Sequence, residues 1–248
     1  MDLDIKGLRV LVTAGANGIG LAIARRFAAE GAKVHTCDVD EIALSELSAS
    51  DPDITWSSCD VSDRSSVQKL FAEAVAKFGG LDVLVNCAGG YGRLATVEDM
   101  ALDEWDSTIA LNLRSVFLMS RAAIPHLKKS RAGRIINVAS ISGRAVTVAS
   151  SPAYGSAKAA VIQLTRFLAQ QLGPDGITAN AIAPITTLTP RVLALRTRED
   201  IERIAAQVPL KRLASSEDHC NAMLFLASDA ASYINGVALD VNGGRVMM

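Results

Sequence analysis

The sequence predicts an α/β protein built on one doubly wound parallel sheet of about seven strands, with helices on both faces. Short apolar runs alternate with amphipathic stretches from one end of the chain to the other. That pattern requires parallel strands joined by right-handed helical crossovers. No linker, low-complexity tract or internal repeat interrupts it, so a single domain over residues 1–248 is expected. The chain is also long enough to bury a sizeable core.

In order, the apolar runs at residues 8–12, 32–36, 81–85 and 133–138 read as buried strands. Weaker strand candidates lie at 54–57, 178–182 and 237–241. Between them, residues 19–30, 67–78, 104–127 and 157–172 have helix length and helical periodicity. Half of the residues are hydrophobic and 21% are charged, as in ordinary globular proteins. The net charge of −1 gives no reason to expect a nucleic acid or anionic membrane as partner.

The acidic start Met1-Asp2-Leu3-Asp4 lacks the cationic flank of a signal peptide. No apolar run approaches the ~20 residues that span a bilayer. A cytoplasmic location is therefore expected. Cys37, Cys59, Cys87 and Cys220 are scattered, without a C-x-x-C pair, and read as buried free thiols. His35, His126 and His219 are equally dispersed, so no metal site is expected.

After the first strand comes Thr13-Ala14-Gly15-Ala16-Asn17-Gly18-Ile19-Gly20, and then a helical pattern. Glycines between strand and helix let the backbone approach a pyrophosphate, whose charge sits at the unpaired N–H groups of the helix start. Asp38 ends the second strand, where a carboxylate can accept hydrogen bonds from the adenosine ribose. It would repel the extra phosphate of NADP. No basic residue follows it, and Asn17 stands where a cation would help to hold that phosphate. NAD is the expected cofactor.

Tyr154 and Lys158 are four residues apart and would project from one face of a helix. A free tyrosine, with a pKa near ~10, is a poor base at neutral pH. A nearby ammonium favours the phenolate, and so does the positive charge of an oxidised nicotinamide. Tyr154 can then take a proton from an alcohol or return it to a ketone. Ser140 follows an apolar strand and would sit at its C-terminal end, where open α/β sheets bind ligands.

Taken in order, these segments resemble the short-chain dehydrogenase/reductases, over nearly the whole chain. The residues that carry the resemblance are the Thr13 to Gly20 turn, Cys59-Asp60-Val61, Asn86-Cys87-Ala88-Gly89 and Asn112. Ser140, Tyr154, Lys158, Asn180-Ala181-Ile182-Ala183-Pro184 and the Asn242-Gly243-Gly244 ending follow. The resemblance implies a Rossmann-type fold and a catalytic tetrad of Asn112, Ser140, Tyr154 and Lys158. Ser140 would polarise the substrate and Tyr154 would be the general acid/base. Lys158 would lower the tyrosine pKa and bind the nicotinamide ribose, and Asn112 would hold a proton-relaying water.

By the same resemblance the cofactor would be held by Gly15, Asn17, Gly18, Ile19 and Gly20, by Asp38, and by Asp60 and Val61 beside the adenine. Asn86, Ala88 and Gly89 would line the ribose side, with Pro184, Thr187 and Thr189 near the nicotinamide. Two departures stand out. Ala14 occupies a glycine position, so a reshaped turn is expected, with Gly15 taking some of the load. Ile185 replaces the glycine after Pro184 and would alter the floor of the nicotinamide site.

The segment 189–209 would close the substrate pocket, as a loop followed by a short helix. Gly90, Tyr91, Ser142, Thr147, Thr186 and Thr187 would make a mixed, fairly polar lining. Arg93, Arg144 and Arg191 either meet an anionic group or point into water. A compact polar secondary alcohol, such as a hydroxy acid, sugar or cyclic alcohol, is the expected substrate. Surplus apolar side chains over 112–127 and 157–172 suggest a homo-oligomer, dimer or tetramer. Alternative readings are an NADPH-dependent carbonyl reductase, a non-catalytic NAD-binding sensor on the same fold, and a methyltransferase-like nucleotide enzyme.

Overall fold

The computed structural model describes residues 3–147 and 150–248, and the side chains of all of these but Arg191 and Leu195. Seven parallel strands form one sheet: β1 (Arg9–Thr13), β2 (Lys33–Asp38), β3 (Thr55–Ser58), β4 (Val83–Asn86), β5 (Arg134–Val138), β6 (Thr178–Pro184) and β7 (Ala238–Val241). Their spatial order is β3-β2-β1-β4-β5-β6-β7. The order reverses between β1 and β4, and such a switch point opens a crevice at the C-terminal strand ends.

Successive strand residues point to opposite faces, so each strand supplies two cores. Val10 and Val12 pack with Val83, Val85 and Ile136 under α1 (Gly18–Ala29), whose Ile23 and Phe27 meet them. α2 (Glu41–Ser50) adds Leu47 to the same face. Leu11, Leu84 and Ile135 turn the other way. They meet Leu70 and Phe71 of α3 (Arg64–Phe78) and Met119 of α5 (Ser115–Leu127), with Leu168 of α6 (Pro152–Leu172). Helices thus cover both faces, as the alternating pattern predicts.

Several elements differ from the sequence-based expectation. No expected helix covered α2, and the 189–209 segment forms two short helices, α7 (Pro190–Leu195) and α8 (Arg198–Ala206), in place of a loop and one helix. The single helix expected over 104–127 is α4 (Leu102–Ile109) running through a π-helical turn, Ala110–Arg114, into α5. The helix expected from residue 157 begins at Pro152, because Ser151 caps it through the Tyr154 N–H and proline suits a first helical position. After α8, an unexpected helix, α9 (Ser216–Ala227), opens on a reciprocal capping box of Ser215 and Asp218. Its Met223 and Leu224 join the α1 face of the core.

The turn between β1 and α1 shows why its glycines are there. A side chain on Gly15 would lie 1.6 Å from Thr36 Oγ1 on β2, and one on Gly20 would lie 2.0 Å from the Ala14 carbonyl oxygen. Gly15 therefore serves close packing. It does not relieve Ala14, which itself adopts the left-handed conformation at φ 53°. Ala14 carries strain of about 1–2 kcal/mol. Ala14→Gly should raise stability by up to about 1 kcal/mol in urea unfolding, relief of strain outweighing the entropy of the added glycine. A loss of stability would contradict this account of the turn.

Candidate active site

The site is built at the C-terminal ends of β1, β4, β5 and β6. Because α6 starts at Pro152, Tyr154 and Lys158 fall one turn apart on its first two turns. The cap, Ser151, accepts from Tyr154 N at 3.3 Å and donates to the Tyr91 carbonyl at 3.2 Å. It thereby ties the loop after β4 to the helix start. Lys158 is almost fully buried, and its Nζ donates to the Val138 carbonyl at the end of β5 at 2.7 Å. The same ammonium lies 5.6 Å from the centre of the Tyr154 ring.

Ser140 stands two residues beyond that carbonyl. Its Oγ accepts from Ser142 N at 3.1 Å, and its hydroxyl acts on Tyr154 in the sense that favours the phenolate. Gly143 makes the approach possible, since a side chain there would lie 2.6 Å from the Lys158 main chain. Asn112 sits in the π-helical turn, a distortion frequent at functional sites. Its Nδ2 donates to Gly90 O and Thr108 O, both at 2.9 Å, and its Oδ1 accepts from Gly90 N at 3.1 Å. A side chain on Gly89 would lie 2.7 Å from Asn112 Oδ1 and 3.0 Å from Lys158 Nζ, so a bare α-carbon separates the two. The structure thus brings Asn112, Ser140, Tyr154 and Lys158 together.

Electrostatically the site departs from expectation. Burial holds the Tyr154 phenol above its ordinary value, opposed by the hydrogen bond to Ser140 and reinforced by Tyr91. Burial likewise pushes Lys158 down to about 8. Lys158 directs its ammonium to a carbonyl rather than to the phenol, so with protein groups alone desolvation prevails over the lowering expected from the lysine.

The residues expected to hold a dinucleotide gather at the same C-terminal end of the sheet, and their chemistry suits one. Asn17 makes no side-chain capping bond, so it does not satisfy the N–H groups that open α1. Gly18 has φ 56°, and Ile19 follows it in the first helical turn. The Asp38 carboxylate accepts from Ala16 N at 3.2 Å and from Val39 N at 2.8 Å, which fixes it against the glycine turn. Asp60 accepts from Ser62 N at 2.8 Å, and Val61 beside it is buried. Thr13 Oγ1 accepts from Cys87 N and Ala88 N at 2.9 and 3.0 Å, holding the end of β4 open. Thr189 caps α7 through Val192 N, and its methyl group stands over Gly18.

Other expected residues are placed differently. Asn86 is buried and its Nδ2 donates to Asn137 Oδ1 at 2.8 Å, so only its main chain is offered at the strand end. Pro184 ends β6 beside Val241. The Thr187 hydroxyl is occupied by the Ile185 carbonyl and by His219. Ile185 packs against Val208, Ala214 and Ile141, filling the space under the 189–209 segment.

Two of the arginines are paired with the protein's own carboxylates and so are not left free for a substrate anion. Arg93 pairs with Glu104 at 2.9 Å, and Arg144 lies 3.3 Å from Asp240 while donating to the Ala238 carbonyl. The Arg191 side chain lies outside the described residues. Tyr91 makes an edge-on contact with Tyr154, with ring centres 6.2 Å apart, and forms a wall of the site. Ser142 and Thr147 hydroxyls pair at 3.1 Å nearby. Sequence reasoning missed Ser151 and Gly143. The serine before Pro152 was the available signal, as a helix cap.

These features define a doubly wound α/β protein with a buried Ser-Tyr-Lys cluster at the C-terminal strand ends. Residues 13–245 match a family model described as "Enoyl-(Acyl carrier protein) reductase". A cis-4-hydroxycyclohexanecarboxylate dehydrogenase of Sinomonas cyclohexanicum is 40% identical over 94% of each chain. A D-threitol dehydrogenase of Mycolicibacterium smegmatis is 36% identical over 98% of this chain and 94% of its own. The ligand-free aldohexose dehydrogenase of Thermoplasma acidophilum superposes with a TM-score of 0.88 at 30% identity, covering 98% of this chain and 95% of that one. The chain belongs to the short-chain dehydrogenase/reductase family, as an alcohol dehydrogenase of the short-chain type. Its family's dehydrogenases use nicotinamide nucleotides. Among the described residues no helix is long and apolar enough to cross a membrane.

The buried lysine has a consequence for stability. Its pKa is lower folded, about 8, than in an unfolded chain, near ~10.4. Between those values the unfolded state binds more protons, so stability rises with pH. Urea unfolding at pH 7 and pH 10 should show the wild type gaining stability relative to Lys158→Met as pH rises. An unchanged difference would show that the ammonium is not desolvated.

Proposed function

We propose that the protein uses NAD to oxidise a secondary alcohol on a compact polar substrate, a hydroxy acid, sugar or cyclic alcohol, with Tyr154 as general acid/base. The observation that carries this reading is the cluster of Ser140, Tyr154 and Lys158 at the end of β5, beside the glycine turn. When bound, the nicotinamide ring supplies the hydride acceptor. Tyr154 takes the proton of the alcohol oxygen as it becomes a carbonyl, and returns it in the reverse direction. Ser140 gives its one hydroxyl proton to the same substrate oxygen and orients it.

Lys158 keeps a positive charge 5.6 Å from the tyrosine ring, which favours the phenolate without outweighing its burial. It also faces the ribose side of the groove past Gly89. Asn112, whose side chain is taken up by Gly90 and Thr108, acts through the backbone it holds. Asp60, Val61, Ala88, Pro184 and Thr189 border the cofactor, with Asn86 and Thr187 contributing main chain.

Asp38 supports NAD over NADP. Its carboxylate is fixed beside the turn, and the residues after it are Val39, Asp40 and Glu41, so a 2′-phosphate would meet acids and no cation. The substrate class follows the mixed lining of Tyr91, Ser142 and Thr147 and the names of the relatives, which act on a polyol, an aldohexose and a cyclic hydroxy acid. A rate screen over such alcohols, with NAD and NADP in parallel, should show turnover with NAD at least about tenfold more efficient. Tyr154→Phe should abolish it while NADH binding persists. Equal turnover in the mutant, or preference for NADP, would refute the assignment.

A cytoplasmic homo-oligomer is part of the same reading. Val116 and Met119 belong to the core, but Phe117 on α5 and Phe167 on α6 remain about half exposed. Such a face suits a symmetric interface between copies. Sedimentation should give a dimer or tetramer at micromolar concentration, and a monomer would contradict it.

A further inference from the structure

His219 lies in the first turn of α9, fully buried, behind the loop that follows β6. Its Nε2 is 2.7 Å from Thr187 Oγ1, and the same oxygen is 3.0 Å from the Ile185 carbonyl. A hydroxyl has one proton and a carbonyl can only accept. Thr187 therefore donates to Ile185, and His219 must donate to Thr187. The imidazole is fixed as its Nε2–H tautomer, and Nδ1 is a buried lone pair without a hydrogen-bond partner among the described residues. Burial pushes its pKa down to about 4, which keeps the ring neutral at pH 7.

An imidazole here is costly. Its helix neighbours Cys220, Met223 and Leu224 are buried apolar residues, and a leucine would fill the space without an orphaned nitrogen. What the imidazole alone supplies is the hydrogen bond to the loop. That loop is also held by main chain, Leu188 N donating to Ala214 O at 2.8 Å just before α9. It leads directly to Thr189, whose methyl group stands over Gly18 of the nucleotide turn.

We infer that His219 is a positioning residue for the cofactor site: through Thr187 it fixes the 185–189 segment that covers the glycine turn. The inference rests on the proposal that this groove binds NAD. The imidazole touches neither substrate nor cofactor and acts through the loop.

The test is a fluorescence titration with NADH on the full-length wild type, His219→Leu, His219→Gln, Thr187→Val and the double variant His219→Leu/Thr187→Val, beside thermal unfolding of each. His219→Leu and Thr187→Val should each weaken NADH by about fivefold, the worth of one buried hydrogen bond. The double variant should be no weaker than either, because both remove the same bond. Glutamine, whose amide can donate to Thr187, should restore affinity to within about twofold. A leucine variant that unfolds at the wild-type temperature or above while binding less tightly would separate positioning from stability.

Wild-type affinity in both single variants, or losses that multiply in the double variant, would overturn the inference. Should His219→Leu fail to fold, the isosteric Thr187→Val decides alone: weakened binding supports the inference and unchanged binding refutes it. A wild type that binds no NADH brings down the cofactor reading and this inference together. Unchanged variants beside a binding wild type bring down the inference only.

Discussion

The hydrogen bond from Lys158 Nζ to the Val138 carbonyl, 2.7 Å long and closed off from solvent, constrains nearly everything placed around it. A buried ammonium is expensive unless it is hydrogen-bonded, and one carbonyl satisfies only one of its three donors. The cost shows in the fall of its pKa to about 8. Gly89 must lack a side chain because Nζ passes beside it, and Gly143 must lack one because the α6 backbone at Lys158 lies against it. Ser151 and Pro152 start the helix early enough for Tyr154 to fall one turn before the lysine. A charge two donors short of satisfaction beside an open groove is suited to a polar ligand such as a ribose.

Tyr154 is set by the same burial in the opposite sense. Desolvation disfavours its phenolate, and the hydrogen bond from Ser140 offsets this only in part. In the proposed reaction the missing stabilisation comes with the cofactor, whose oxidised ring is positive. The protein groups then prepare a base that is weak until the cofactor is in place. The left-handed Ala14 is a second place where local stability is given up, here in the turn that joins β1 to α1.

Much of this was legible in the sequence. β1, β2, β4 and β5 announced themselves as short apolar runs, β3, β6 and β7 more weakly, and the spacing of Tyr154 and Lys158 needed only a helix to bring them together. Other features depend on tertiary contact. α9 carries a weak periodic signal, because the buried His219 interrupts its apolar stripe and its buried face is set by α1. The π turn at Asn112 is a one-residue slip in hydrogen bonding that leaves no mark on hydrophobic periodicity. Arg144 could not be told from a substrate-facing arginine, since its partners Ala238 and Asp240 lie nearly a hundred residues on. Asn86 pointed inward because its register partner on β5 is another asparagine.

The most direct test of the account is the ionisation of Tyr154, followed by NMR of tyrosine labelled at the ring carbon that bears the hydroxyl. Tyr154→Phe assigns the signal against Tyr91 and Tyr233. The account predicts that Tyr154 titrates above ~10 in the free protein and at a clearly lower pH with NAD bound. A tyrosine that already ionises near neutrality without cofactor, or one whose titration is unmoved by NAD, would contradict it.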